Sequence, residues 1–484
     1  MLKGEGKMTD TKKASQINDL TQGNLLIKML KYSLPLMATG LLQVLYNASD
    51  MVVVGRFAGD FAMGAVGACG SLISLIVNAF ISFSVGTSIC VAHGIGAKRY
   101  DRVERCVHTS LFLGIVLGII VGVFGFFMAR PLLLLMGTPE SILAEAVPYM
   151  KAYFVGVPAC LIYNFLAAAL RSSGDTKRPL IFLATAGVLN VVLNLVMVLV
   201  FHMGAIGVGI ATSVAQYASA IMILVYMMRM EGPCKVNLKE IKVHRFELLE
   251  IVRTGLPASI QSMVFSISNV LIQSSVNAYG DIVVSGNTAA SNIESFIYTA
   301  MNAIYQSTLT FVGQHVGAGK HERIKKIAVM AVIIVIVVGL GIGILCYVFH
   351  EQLLEIYKPG DSELQIAIRA AGTKRMQIIT TTYFLCGIME VLSGVIRGMG
   401  KSVLPMVVSI IGSCMLRIAW IFTVCPMFEG NIQVLYLAWP VTWVVTSTGH
   451  LVCCIIAYKQ MIRRRDRQRE FDEAIRLEKE ATKV

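Results

Sequence analysis

The chain of 484 residues has the composition of a membrane protein. Hydrophobic residues make up 56% of it, charged residues only 15%, and the mean hydropathy is +0.70, whereas a soluble domain carries about a quarter charged residues. The formal net charge of +13 does not indicate nucleic-acid binding, because the basic residues are concentrated in alternate loops between apolar segments. The intervening loops hold fewer basic residues: Arg56, Arg130, Lys151, Lys358, Arg369, Lys374 and Arg375.

Apolar segments of about 20 residues recur along the chain, and a helix of that length crosses the hydrocarbon core of a bilayer. The sequence therefore predicts an all-α integral membrane protein with about twelve transmembrane helices. In chain order the expected spans are 28–50, 61–90, 106–130, 145–170, 179–202, 206–229, 250–275, 283–313, 326–349, 373–396, 403–425 and 433–458. The positive-inside rule places the basic loops and both termini in the cytoplasm.

The second half of the chain repeats the first. Residues 91–102 are echoed without a gap by residues 312–323, and the loop 171–179 is echoed by 397–405. Two like halves are typical of a secondary transporter, whose binding site lies between or within the halves.

The repeat divides the chain into two six-helix lobes with polar flanking segments. The linker between the lobes contains Gly232-Pro233, and the amino-terminal lead has no apolar core followed by a cleavage site, so we expect it to be uncleaved. The predicted parts are a cytoplasmic lead 1–24, an N-terminal lobe 25–230, a cytoplasmic linker 231–248, a C-terminal lobe 249–458 and a basic cytoplasmic tail 459–484.

Motifs of enzymes and of metal sites are missing from the sequence. There is no H-E-x-x-H, no G-x-S-x-G and no nucleotide-binding loop, so neither an enzyme nor an ATP-driven pump acting alone is expected. The eleven cysteines lie mostly within the apolar segments without a CxxC pair. We expect them to be small buried hydrophobic residues and not disulfides or metal ligands.

One acidic residue, Asp50, lies in the first span. A charge inside a span is costly, which makes it a candidate for function. Asp50 follows Tyr46 by one helical turn, so both residues share a face. A carboxyl group in a low-dielectric cavity favours its neutral form, which suits proton exchange. The alternative is a carboxylate that caps a helix at the membrane interface.

The second half carries its own charged residues, Glu294, Glu390 and Arg417. The repeat aligns Glu294 with Ile73 and Glu390 with Asn164, so the two halves share a scaffold but not their polar side chains. We expect Arg417 to neutralise Glu390 or Glu294. A purely structural ion pair is the alternative to a functional site.

Uncharged polar residues add a third set of candidates, in the fourth, fifth and sixth spans. Asn190 and Asn194 are one helical turn apart and share a face, and Asn164 and Thr212 lie in neighbouring spans. Any one of them alone is more typical of a hydrogen bond between helices. With Tyr46 and Asp50 they would form a cluster if the four spans converge.

Together these features resemble the multidrug and toxic compound extrusion (MATE) family over about residues 25–458. The resemblance is carried by Pro35 with Tyr46 and Asp50, by the repeated Gly-Ala loops after the second and eighth spans, and by the Arg-x-x-Gly loops at Arg171 and Arg397. It implies a V-shaped antiporter whose lobes are related by a pseudo-two-fold axis along the membrane normal. It implies export of organic cations, drugs or other amphipathic compounds in exchange for H⁺ or Na⁺.

The resemblance is closer to the prokaryotic DinF-like branch, which has a cation-responsive polar cluster in its amino-terminal lobe. Tyr46, Asp50, Asn164, Asn190 and Thr212 match that cluster, and Asn194 stands where the branch has a second aspartate. The resemblance thus implies H⁺ coupling or Na⁺ binding near Asp50, with no other cofactor. The NorM-like seventh-span glutamate falls near Phe265, which leaves Glu294 and Glu390 as candidate substitutes.

The resemblance also implies a monomer in the bacterial inner membrane, with small amphipathic compounds and the lipid bilayer as its partners and no nucleic acid. Two alternatives remain at this point. One is a lipid-linked oligosaccharide flippase of the same superfamily, which would need several cationic residues in its cavity, whereas Arg417 stands alone within the spans. The other is a membrane scaffold or receptor without transport, which leaves the repeat and Asp50 unexplained.

Overall fold

The fold is all-helical in the computed structural model, which describes residues 19–57, 60–428 and 431–481. Only the last residues of the predicted lead 1–24 therefore fall within it, and the side chains of the predicted tail 459–484 beyond residue 470 lie outside it. The helices are α1 Leu25–Phe57, α2 Asp60–Phe83, α3 Val85–Gly96, α4 Tyr100–Leu135, α5 Glu140–Ser172, α6 Lys177–Leu195, α7 Gly204–Arg229, α8 Arg245–Asn277, α9 Asp281–Gly317, α10 His321–Val348, α11 His350–Tyr357, α12 Glu363–Gly398, α13 Val403–Ser409, α14 Leu416–Thr423 and α15 Ile432–Ala481.

Eleven helical segments of the described part are long and apolar enough to cross a membrane. The segment α9 has 37 residues and is also long enough, but it is more polar than the others. Together they account for the twelve predicted spans. Many of their outward-facing side chains are large and hydrophobic, as Phe127, Leu135 and Ile120 of α4 show, and such a surface suits contact with lipid tails.

Two of the predicted spans are interrupted helices. The second span breaks at Ser84 into α2 and α3, next to Gly86, where an added Cβ would lie 2.2 Å from the backbone oxygen of Ile251 in α8. The eleventh span consists of α13, a π-helical turn Ile410–Met415 and α14. A second π-helical turn, Val196–Val200, follows α6. Such turns are frequent near functional sites in helical proteins.

Glycines at equivalent positions of the repeat pack the helices of both lobes. An added Cβ at Gly118 of α4 would lie 2.6 Å from Cα of Pro158 in α5. At the repeat position, an added Cβ at Gly339 of α10 would lie 3.0 Å from Cα of Phe384 in α12. Close backbone approach at small residues is the usual way in which membrane helices associate. The predicted two-lobe architecture is thus supported by equivalent packing in each half.

The first helix of each half also contacts the other half. In α1, the hydroxyl oxygen of Tyr32 lies 3.1 Å from Oγ1 of Thr310 in α9. An added Cβ at Gly40 would lie 2.3 Å from Cγ2 of Thr299, also in α9. The helix α8 packs mainly against α2 and α3. Both α1 and α8 therefore connect the two lobes mechanically.

One end of the helical bundle gathers most of the basic loops, and we call it the basic end. It consists of the loops 97–99, 173–176, 230–244, 318–320 and 399–402. Near it, Cys90 of α3 and Cys106 of α4 are joined by a disulfide. The expectation that all cysteines are unpaired is wrong for this pair, because adjacent antiparallel helices bring the two side chains together.

Candidate functional site

Four of the predicted residues of the N-terminal lobe form one chain of hydrogen bonds. Asn194 Nδ2 donates to Asp50 Oδ1 at 2.5 Å and to Asn190 Oδ1 at 3.2 Å. Asn190 Nδ2 in turn donates to Thr212 Oγ1 at 3.2 Å. The chain joins α1, α6 and α7, so three of the four spans that the cluster requires, the first, fifth and sixth, converge in the structure.

Tyr46 and Asn164 lie outside this chain of hydrogen bonds. Tyr46 donates its hydroxyl hydrogen to the backbone oxygen of Ala184 at 3.1 Å, and its ring lies on Gly187, where an added Cβ would be 1.7 Å from the ring. Asn164 donates to the backbone oxygen of Cys160, one turn earlier in its own helix, at 2.8 Å. Tyr46 therefore fixes α1 against α6, whereas Asn164 is a half-buried group that the structure does not join to Asp50.

The amide of Asn194 leaves an acceptor without a partner beside Asp50. Asn194 is fully buried, and its Oδ1 makes no hydrogen bond with any described residue. A buried polar atom without a partner is costly and calls for an explanation. Its position next to a carboxylate suits a bound cation, or an amide flip that accepts a hydrogen bond from protonated Asp50. Among the described residues, no group of three His, Cys, Asp or Glu side chains is placed to hold a metal ion.

Glu294 has a different partner from the one expected. Arg375 donates from Nε to Glu294 Oε1 at 2.8 Å and from NH2 to Oε2 at 2.6 Å, and its third contact goes to Asn287 Oδ1 at 2.7 Å. The expected pairing with Arg417 is therefore wrong. The basic-residue pattern places Arg375 in a loop, whereas α12 already begins at Glu363 and carries Arg375 inside the lobe. In the sequence, the only indication of this ion pair is that Glu294 lies in another predicted span of the same lobe.

Arg417 lies close by but pairs with no carboxylate in the described part of the chain. Its NH2 donates to Thr442 Oγ1 at 3.1 Å, and its guanidinium carbon lies 5.0 Å from the ring centre of Trp439. Arg375 contacts the same ring at 5.1 Å. For Arg417 the ring of Trp439 replaces the carboxylate that the sequence led us to expect, since a π-face attracts a guanidinium.

Glu390 is half-buried, and its carboxyl group has no hydrogen-bond partner among the described residues. It lies two helical turns before Arg397 of α12 and so shares its face. The sequence predicts Arg397 as part of a loop motif, but it is 6% exposed and donates to the hydroxyl of Tyr305 at 2.6 Å and to Gln261 Oε1 at 2.7 Å. The repeated Arg-x-x-Gly motif marks Arg397 in the sequence, but the motif does not indicate that its side chain is buried.

The acidic residues of both polar clusters lie within a family repeat. The MatE family model matches residues 35–196 and, a second time, residues 257–423. The chain belongs to the MatE family. The first match contains Asp50, Asn190 and Asn194, and the second contains Glu294 and Glu390. Members of this family are transporters and not enzymes, in agreement with the absence of catalytic motifs.

Similar proteins cover nearly the whole chain. It is 30% identical over 403 residues to the probable multidrug resistance protein YpnP of Bacillus subtilis, covering 82% of this chain and 88% of that one. It is 26% identical over 425 residues to the probable multidrug resistance protein YoeA of the same bacterium, with 86% and 91% covered. The fold resembles the solved outward-facing structure of a multidrug resistance MATE family transporter of the MOP superfamily, with a TM-score of 0.83, 19% identity, and 94% and 99% covered.

Proposed function

We propose that this MatE family protein is a multidrug efflux antiporter that exports amphipathic or cationic compounds in exchange for H⁺ or Na⁺. The two-lobe fold and the family repeat support transport, and the multidrug resistance proteins to which the chain is similar support the substrate class. The positive-inside rule supports a bacterial inner-membrane protein with its basic end in the cytoplasm. In this proposal the lobes are 25–230 and 249–458, and the monomer is the working unit.

The coupling site that the geometry supports best is the hydrogen-bonded chain that begins at Asp50. The observation that carries it is the Asp50–Asn194 contact, with the unpartnered Oδ1 of buried Asn194 beside it. A proton or Na⁺ at Asp50 neutralises the carboxylate that accepts the amide hydrogen. The unpartnered Oδ1 of Asn194 then gains a partner if the amide flips, because it can accept from the protonated acid or bind the cation. The match to the DinF-like polar cluster supports the same assignment.

The first helix supplies a route from this site to the lobe interface. Asp50 lies near one end of α1, and Tyr32 and Gly40 of the same helix contact α9 of the other lobe. A change in the hydrogen bonds of Asp50 alters how α1 is held against α6, and thereby how it meets α9. A cation that binds the two arrangements with different affinity then shifts their populations, which is the requirement for coupled exchange.

Glu390 is the second candidate for coupling. Its carboxyl group has no hydrogen-bond partner among the described residues and lies on the same face as Arg397. Glu294 suits the role less well, because two hydrogen bonds from Arg375 already occupy its carboxylate oxygens. Of the two acidic residues in the C-terminal lobe, Glu390 is therefore the better candidate for coupling.

Drug efflux from proteoliposomes under an imposed H⁺ or Na⁺ gradient tests this assignment. The variants are Asp50→Asn, Glu390→Gln and Glu294→Gln, each compared at equal amounts of folded protein. We expect Asp50→Asn to lose gradient-driven efflux and Glu294→Gln to keep its ion dependence. Full gradient-driven efflux by Asp50→Asn would refute the assignment, and loss of efflux in Glu390→Gln alone would move the coupling site to the C-terminal lobe. Swapping the two gradients identifies the ion.

A further inference from the structure

The two lobes exchange equivalent hydrogen bonds at the basic end. His93 of α3 contacts the backbone oxygen of Gly398 through Nε2 at 2.8 Å. Gln314 of α9 donates from Nε2 to the backbone oxygen of Ser172 at 2.8 Å. The repeat aligns His93 with Gln314, and Ser172 with Gly398. In each lobe, the side chain at one repeat position therefore bonds to the repeat-equivalent backbone oxygen of the other lobe.

The backbones of the two helices meet at a second pair of equivalent positions. An added Cβ at Gly96 of α3 would lie 2.0 Å from the backbone oxygen of Gln314, and one at Gly317 of α9 would lie 2.2 Å from the backbone oxygen of His93. Real Cβ atoms do not approach other atoms so closely, so only glycine permits this crossing. Gly96 and Gly317 are also repeat partners. The contact is thus two-fold symmetric in both side chains and backbone.

The two halves of this contact differ in their surroundings. His93 Nδ1 lies 3.6 Å from Oε1 of Glu250, which also forms an ion pair with Arg102 of α4. Gln314 Oε1 instead accepts the backbone hydrogen of Leu20 at 3.1 Å, so the segment before α1 covers that side. Leu20 is 2% exposed. The symmetric core of the contact is therefore the pair of bonds made by His93 and Gln314.

We propose that His93 and Gln314 are the paired closing contacts of an inner gate at the basic end, and that the lobes separate there only when both bonds break together. This inference rests on the proposed function only in requiring that the lobes move apart. Because the two bonds cross the same interface on opposite sides of its centre, neither can open without straining the other. Gly96 and Gly317 set the closed distance, since any side chain there would hold the backbones apart.

Hydrogen–deuterium exchange of the protein in lipid nanodiscs tests this gate without substrate or ion gradient. The variants are His93→Ala, Gln314→Ala and the double variant, and the readout is exchange in peptides that cover the ends of α3 and α9. A buried hydrogen bond of this kind corresponds to a change of about fivefold in an equilibrium. We expect each single variant to raise the opening equilibrium about fivefold at both helix ends, and the double variant about 25-fold.

Two further variants separate the hydrogen bond from other roles of these side chains. His93→Gln keeps a donor and copies the residue of the other lobe, so it should restore most of the protection lost in His93→Ala. His108→Ala is the matched control, because His108 Nε2 accepts from the backbone of Asn237 and joins only the first lobe to the linker. It should leave exchange at the end of α9 unchanged. A His93→Gln variant as open as His93→Ala would overturn the proposal.

The glycine pair gives an independent arm of the test. Gly96→Ala and Gly317→Ala should each raise exchange at the ends of both α3 and α9, because the new methyl group meets backbone. Gly341→Ala in α10 is the control, since no atom lies within 4 Å of an added Cβ there. Unchanged exchange in both His93→Ala and Gln314→Ala, or a change confined to the substituted helix, would refute the gate. The efflux assay with Asp50→Asn tests the coupling site and does not depend on the exchange experiment, so the coupling site and the gate can each be refuted alone.

Discussion

The buried ion pair between Glu294 and Arg375 gives the prediction with the clearest magnitude. Glu294 is 5% exposed and Arg375 is 7% exposed, and two hydrogen bonds of 2.8 and 2.6 Å join them. Glu294→Gln removes the negative charge and directs an amide N–H₂ at a guanidinium that can only donate. The guanidinium cannot lose its proton, so a buried charge is left without a counter-ion.

We expect Glu294→Gln to lower the free energy of unfolding by about 3–5 kcal/mol, the usual cost of removing one partner from a buried pair. Arg375→Met should cost less, because the carboxyl group left behind can take up a proton and become neutral. The double variant Glu294→Gln/Arg375→Met should be more stable than Glu294→Gln, since neither charge then remains. The measurement is unfolding in mixed detergent micelles, with the interaction energy taken from the double-mutant cycle.

A matched control lies near the start of the same helix. Arg369 of α12 pairs with Asp361 at 3.4 Å, but Asp361 is almost fully exposed, so water screens the pair. Asp361→Asn makes the same chemical change as Glu294→Gln and should cost less than about 1 kcal/mol. If the two substitutions lower the free energy of unfolding equally, the argument from burial is wrong. If Glu294→Gln also abolishes ion-dependent efflux per folded molecule, Glu294 is part of the coupling site.

Further predictions concern the cluster around Asp50. Asn194→Ala removes both of the hydrogen bonds that its amide donates, to Asp50 and to Asn190. We therefore expect efflux to change its dependence on pH or Na⁺ concentration. An unaltered dependence would exclude Asn194 from the coupling site. Gly187→Ala should displace the ring of Tyr46 and slow efflux to the rate of a Tyr46→Ala variant. Efflux by Gly187→Ala at the wild-type rate would show that the contact between α1 and α6 is dispensable.

The sequence predicts the scaffold well because the scaffold depends on local and repeated signals. The length and hydropathy of each apolar segment determine whether a helix can span the bilayer, and they do not depend on its neighbours. The gapless echo between residues 91–102 and 312–323 shows two like lobes without any knowledge of their contacts. The helix ends are less predictable, and α12 begins ten residues before its expected start at 373.

Which polar side chains meet was decided only by the tertiary structure. Helical spacing places Asn190 and Asn194 on one face, but the rotation and crossing of α1, α5 and α6 determine that Asp50 is bonded to that face and that Asn164 is not. In the same way, Glu294 meets Arg375 and not Arg417, because helix crossing sets the partner of a buried charge and sequence distance does not. The bonds from His93 to Gly398 and from Gln314 to Ser172 join residues far apart in the chain, although both partners were already visible in the repeat.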